Sequence, residues 1–159
     1  MASSSPQTTA QRRQAKLILE SYERILGKPL IPEAGSQEEA INLMWTSPFV
    51  ILSSAPDAET TLNYGNLTAL RLWEMDWNTL CRTSSRHTAE PEHRDERERY
   101  MKQVREIGYI KDYSGIRISR TGKRFRIEKA TVWNLTDNER KHLGQAATFS
   151  RWIPLKDNS

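Results

Sequence analysis

From Asp112 to Leu135 the chain reads DYSGIRISRTGKRFRIEKATVWNL, and this stretch constrains the fold more than any other. Ile116 and Ile118 alternate with Arg117 and Ser119, and Phe125 and Ile127 alternate with Arg124, Arg126 and Glu128. A period of two belongs to a strand with one wet and one packed face, because successive side chains point to opposite sides. Between the two runs, Gly122 in Arg-Thr-Gly-Lys supplies turn chemistry, so the pair predicts a hairpin. The pattern continues to Trp133 and is expected to slip near Ala130, where a bulge would change the face presented. Six Lys/Arg against one Glu lie between Ile116 and Lys129. The hairpin therefore has two readings: strands of a pocket, or a basic surface for nucleic acid over Arg117–Lys129.

Helical periodicity precedes the strands. Apolar residues recur at Ala15, Ile18, Tyr22 and Ile25, one stripe of a helix over Ala10–Leu26. Gly27 suits a left-handed cap, and Pro29 bars continuation. Ser36 and Glu39 make a capping box for a second helix over about 37–46. Phe49–Ser54 is short, apolar and β-branched, the mark of a strand buried on both faces, and Thr61–Gly65 predicts a second. Asn66 and Asp76 suit N-caps of two short helices. Pro91 fits the first turn of a charged helix to Ile107, with Tyr100, Met101, Val104 and Ile107 as its packed underside. Leu143–Ile153 is the last strand. The resulting division is a disordered lead over 1–9, N-terminal helices over 10–47, the main domain over 48–153 and a tail over 154–159.

At 159 residues the chain suggests one domain, large enough to bury a real core. Five Trp and five Tyr argue against wholesale disorder. A net charge of +4 allows an anionic partner without demanding one. Cys81 stands alone, so no internal disulfide forms, and a reducing, cytoplasmic setting is expected. No apolar run reaches the roughly 20 residues that span a bilayer, so no membrane partner is expected, and the polar opening reads as a frayed tail.

Three blocks, SPFVILS, NYGNLTALRLWEMDW and DYSGIRISRTGKRFRIEKATVWNLTD with GQAATF after it, together resemble the MEKHLA domain, a relative of PAS domains. The resemblance spans roughly Ala15 to Phe149. It implies an α+β, PAS-like fold: a five-stranded antiparallel sheet in order 2-1-5-4-3, helices over one face, and an N-terminal helical extension. On that fold the alternation puts Ile116, Ile118, Phe125 and Ile127 on the concave side and turns the arginines largely outward.

The resemblance also implies a module that holds a small molecule or a protein partner rather than an enzyme. PAS modules hold flavin, haem or metabolites between sheet and helices, and no cofactor of this chain follows from its residues. Cys81 in TLCRTSS lacks the Asn and Phe-Leu neighbours of the flavin-adduct cysteine and reads as a small hydrophobe or ordinary thiol. Gln145 matches a flavin-site Gln in type, but its step from Gly144 differs by one, which points it to the other face. His87, His93 and His142 lack metal-ligand spacing, and only His93 keeps haem open. No nucleophile elbow, phosphate loop or dinucleotide fingerprint is present. The polar residues set in the core blocks, Asn63, Asn66, Arg126, Glu128, Trp133 and Gln145, are the candidate ligand-binding set, with Arg126 reaching inward if its strand bulges. Against the nucleic-acid reading, no row of exposed aromatics accompanies the basic hairpin. With no second domain to carry a signal, output is expected through a protein partner. The stripe Ala15, Ile18, Tyr22, Ile25 suits either a homodimer surface or packing on its own domain.

Overall fold

The computed structural model describes residues 8–89 and 94–156. The first seven residues of the expected lead, Pro91 and His93 lie outside them. Helix α1 spans Thr9–Leu26, one residue earlier than its apolar stripe predicts. The cause is a capping box: Gln11 N donates to Thr8 Oγ1 at 3.0 Å, and Thr8 N donates to Gln11 Oε1 at 2.9 Å. Gly27 ends the helix at φ 77, as expected. Helix α2 spans Gln37–Thr46, and Ser36 accepts from Glu39 N at 3.1 Å. Only that half of the box forms, because the Glu39 carboxylate accepts from Gly35 N at 3.3 Å instead.

Strands β1 (Val50–Ser54) and β2 (Leu62–Gly65) come next, followed by α3 (Leu67–Trp73) and α4 (Trp77–Leu80). Asn66 and Asp76 cap the two helices, accepting from Ala69 N at 3.0 Å and Thr79 N at 2.7 Å. A 3₁₀ turn (Ser85–Thr88) leads towards α5 (Arg94–Ile107). Then come β3 (Tyr109–Ile118), β4 (Arg124–Thr136), β5 (His142–Phe149) and β6 (Arg151–Pro154). The sheet is antiparallel in order β2-β1-β5-β4-β3, with β6 beside the first half of β4. The single last strand expected over Leu143–Ile153 is thus two strands broken at Ser150. The break sits opposite a bulge in β4, where the ladder to β3 steps from Tyr113↔Ala130 to Gly115↔Ile127. That is the slip expected near Ala130, made by Lys129 at φ 53, and a bulge bends both its own strand and its neighbour.

Helices cover both faces of the sheet. On one face α1 and α2 bury Ala15, Ile18, Met44 and Trp45 against Ile51, Tyr64, Trp133 and Leu135. On the other, α3 and α5 bury Trp73 and Val104 against Tyr113, Phe125, Ile127 and Val132. The α1 stripe therefore packs on its own sheet, with Ala15 and Ile18 fully buried. The α5 underside ends short of its expected length: Val104 is buried, but Ile107 is 60% exposed where the chain turns at Gly108 (φ 100) into β3. No helix among the described residues is long and apolar enough to cross a membrane.

Two glycines separate handedness from crowding. Both Gly27 (φ 77) and Gly144 (φ 125) have positive φ, but a Cβ at Gly27 meets nothing within 4 Å, whereas one at Gly144 lies 2.1 Å from the Ser54 carbonyl oxygen. Gly27→Ala is expected to cost about 1 kcal/mol, the handedness penalty alone. Gly144→Ala is expected to cost at least about 3 kcal/mol, because β1 and β5 must also part. Urea unfolding midpoints of the two variants check the difference, and equal losses contradict it.

Candidate functional site

The face under α3 and α5 encloses a cavity of about 90 Å³. Five strands contribute to its lining, β2 through Leu62 alone. Arg117 pairs with Phe125 and Gly115 with Ile127, so β3 presents Tyr113, Gly115 and Arg117 on the floor side. Beyond the Lys129 bulge, Ala130 and Val132 continue the β4 floor. On the far side Ser54 pairs with Gln145 and Leu52 with Ala147, and all four line the cavity. Trp73 of α3 forms the roof, edge-on to Phe125 at 5.2 Å, and Met101 of α5 and Thr88 of the 3₁₀ turn close the sides. Small side chains at Ala130 and Ala147 on this face are what leave the space.

The phase of β3 corrects the sequence expectation. Ile116 and Ile118 pair with Arg126 and Arg124 on the opposite face, half-buried, while Arg117 turns in. The reason is a second bulge, at Asp112 (φ 60), where the β3 ladder slips between Ile110 and Tyr113. Phe125 and Ile127 are buried on the cavity side as expected.

Arg117 is held in place by its own strand. Its Nη2 donates to Tyr113 Oη at 2.7 Å and its Nη1 to the Ile116 carbonyl at 3.0 Å. The guanidinium carbon lies 5.5 Å from the Tyr113 ring centroid, within cation–π range. Gly115 makes the arrangement possible, since a Cβ there would sit 2.6 Å from Tyr113 Oη and 3.0 Å from Arg117 Nη1. Tyr100 of α5 packs edge-on against Tyr113 at 4.7 Å.

The turn beyond Arg117 is clamped to the end of α3. Glu74, left-handed at φ 58, accepts from Ser119 Oγ at 2.7 Å and from Thr121 Oγ1, and pairs with Lys123 Nζ at 3.2 Å. Arg120 Nε donates to the Glu74 carbonyl at 2.8 Å, and Arg120 N to that of Trp73 at 3.0 Å. The Thr121 and Ser119 hydroxyls, with Lys123 beyond them, hold the Glu74 carboxyl down at about 2.

Of the six candidate residues, Gln145 alone lines the cavity. Its side chain is thus on the cavity face, not the opposite one that its step from Gly144 suggested, and it stands beside Ser54 on the ladder. Asn66 is fully buried as the α3 cap, donating to the Met44 and Phe49 carbonyls at 2.9 Å each and accepting from Ile51 N at 3.2 Å. Asn63 belongs to the α1 face, accepting from Ser53 Oγ at 2.6 Å and Gln14 Nε2 at 3.3 Å. Trp133 is sealed under α1, edge-on to Tyr22 at 4.9 Å. Glu128 pairs with Arg151 Nε at 3.4 Å, and Arg126 is exposed rather than drawn inward. Tyr113 and Arg117 are the cavity groups that sequence reasoning missed; Gly115 between two polar side chains was the available signal, as a strand glycine often marks close approach.

The MEKHLA domain pattern matches residues 12–154. The chain belongs to the MEKHLA domain family. No curated protein matches it. Among solved structures this MEKHLA chain is similar to a PAS domain from Colwellia psychrerythraea (TM-score 0.61, 9% identity, 70% of this chain and 92% of that one). It is similar also to a light-oxygen-voltage domain studied with a flavin analogue (0.57, 13% identity, 74% and 85%) and to a PAS domain from a two-component sensor histidine kinase (0.54, 13%, 71% and 90%). At these identities the likeness shows the fold alone, the antiparallel 2-1-5-4-3 sheet.

The MEKHLA cavity does not fit a flavin. Ligand pockets run to about 300–1,000 Å³, several times the roughly 90 Å³ present. Cys81, its thiol pushed up by burial, does not line the cavity. His87 and His142 are exposed, and no group of three metal-ligating side chains occurs among the described residues.

The Glu74 clamp sets a pH dependence. Its carboxyl titrates lower when folded (about 2) than the ordinary 4.5, so its stabilisation is complete above about pH 4.5 and fades as pH falls towards 2. Glu74→Gln is therefore expected to lower the urea midpoint at pH 7 and to converge on the parent protein near pH 2. A gap that stays constant between pH 7 and pH 2 contradicts the clamp.

Proposed function

We propose that this MEKHLA chain is a non-catalytic sensory module that takes a small, largely apolar molecule between its sheet and α3/α5 and reports it through association with a protein partner. The observation that carries the reading is the cavity itself: apolar walls from five strands and two helices, with a few polar groups, Arg117, Gln145 and Ser54 among them, at its edges. That composition is the usual one for a ligand site. Among the described residues no carboxylate, histidine or cysteine lines the space, which favours a binding role over catalysis. The lone thiol supports a reducing, cytoplasmic setting. Homodimerisation through the α1 stripe requires that helix to leave the sheet, so a partner must use other surface.

The basic hairpin gives little support to nucleic-acid binding. Arg117 turns into the cavity, and Arg120 and Lys123 are committed to Glu74. The triple variant Arg120→Gln, Lys123→Gln, Arg124→Gln is expected to leave small-molecule binding unchanged. Ala147→Leu, which fills the floor, is expected to abolish it while keeping the melting temperature within a few degrees. Nuclear magnetic resonance titration with a library of small apolar compounds, reading the amides of Tyr113, Ala130 and Ala147, checks both. Salt-sensitive binding of nucleic acid lost in the triple variant, with no compound shifting those amides, overturns the reading.

A further inference from the structure

Resting on the cavity reading above, we infer that the ligand is a small organic anion, a monocarboxylate with a compact apolar body, and that Arg117 receives its carboxylate. Among the described residues that line the space, Arg117 alone is charged. No carboxylate among the described residues pairs with it. A guanidinium carries five N–H donors in a flat fork. Two are engaged, by Tyr113 Oη and the Ile116 carbonyl, and both acceptors are neutral. The charge is therefore oriented but uncompensated, half-buried at the edge of an apolar space, where an anion is worth more than in water. The fork geometry matches a carboxylate's two oxygens.

The setting is fixed rather than incidental. An exposed arginine in a strand normally points to water, but here two bulges and a glycine are needed to bring Arg117 inward beside Tyr113. The other polar groups on the lining are neutral. At the usual strand spacing, Gln145 on β5 stands two strands from β3, about 9–10 Å away, and Ser54 on β1 three strands, about 14 Å, so they border the far end and do not share the carboxylate. Size sets the body: about 90 Å³ is smaller than the roughly 150 Å³ apolar cavity that admits benzene, which points to a short branched acid such as isobutyrate and makes benzoate, with its benzene-sized ring, the oversized comparison.

The test uses matched pairs, isobutyrate with isobutyramide and benzoate with benzamide, titrated into the full chain and read by amide shifts of Gly115, Arg117 and Ala130. Expected is saturable binding of at least one acid, at least tenfold tighter than its amide. Arg117→Gln is expected to lose that tenfold preference, the acid and its amide then binding alike. Arg117→Lys, which keeps the charge but not the fork, is expected to restore part of it, and this variant guards against a loss caused by misfolding. Equal binding of acid and amide, or a preference that survives in Arg117→Gln, overturns the carboxylate assignment and leaves the cavity reading standing. No shift with any of the four compounds, in a chain whose Ala147→Leu variant also behaves identically, overturns both.

Discussion

The structure depends on two residues held in the left-handed region, Asp112 and Lys129. Neither is a glycine, and each such residue costs about 1–2 kcal/mol. What they provide is phase. With strict alternation from Phe125, the inward positions would be Ile127, Lys129, Thr131 and Trp133. The bulge at Lys129 moves the inward set to Ala130 and Val132 and sends Trp133 to the opposite face, under Tyr22 of α1. An indole on the inner face would fill a space of 90 Å³, so the cavity exists because the strand slips by one residue. On β3 the slip at Asp112 decides in the same way that Arg117, and not Ile116 or Ile118, looks inward.

The same slip explains why helices lie on both faces. A sheet face carrying Ile51, Tyr64, Trp133 and Leu135 cannot stay in water, since a buried large side chain is worth about 1.5–3 kcal/mol relative to exposure. Helix α1 covers it, tied down at its C-terminal end by Ser21 Oγ and Arg24 Nη1 donating to the Thr136 carbonyl at 3.1 and 2.9 Å. The extension is thus part of the core. Its apolar stripe and the outward turn of Trp133 are two halves of one packing solution.

Much of this was legible beforehand. The capping residues Ser36, Asn66 and Asp76, the Gly27 stop, the continuous apolar run of β1 and the alternation around Phe125 each state a local rule that the fold obeys. The blocks that resemble MEKHLA domains fixed the order of strands, which local rules cannot. What was not legible is phase beyond a bulge. Nothing in the letters around Asp112 announces a left-handed residue, and one slipped residue reverses every side chain after it, so Ile116 and Ile118 were placed on the wrong face. The candidate set failed to gather for a related reason. Asn63, Asn66 and Trp133 are polar or amphipathic residues in core blocks, and Gln14, the Met44 and Phe49 carbonyls and Tyr22 of α1 that engage them are all distant in sequence.

Cavity and turn meet in one pair of neighbouring residues. The Trp73 ring roofs the cavity while its carbonyl accepts from Arg120 N, and Glu74 next to it gathers Ser119, Thr121 and Lys123. Arg117 lies only two residues before Ser119, where β3 gives way to the turn. The roof, the charged edge and the β3–β4 turn are therefore joined by short covalent and hydrogen-bonded paths. A shift of the Trp73 ring must be taken up at Glu74 or at Arg120. Both are at the surface, so the part of this domain most directly coupled to the cavity is the turn where α3 and the hairpin meet, and not the N-terminal helix that the far side of the sheet holds in place.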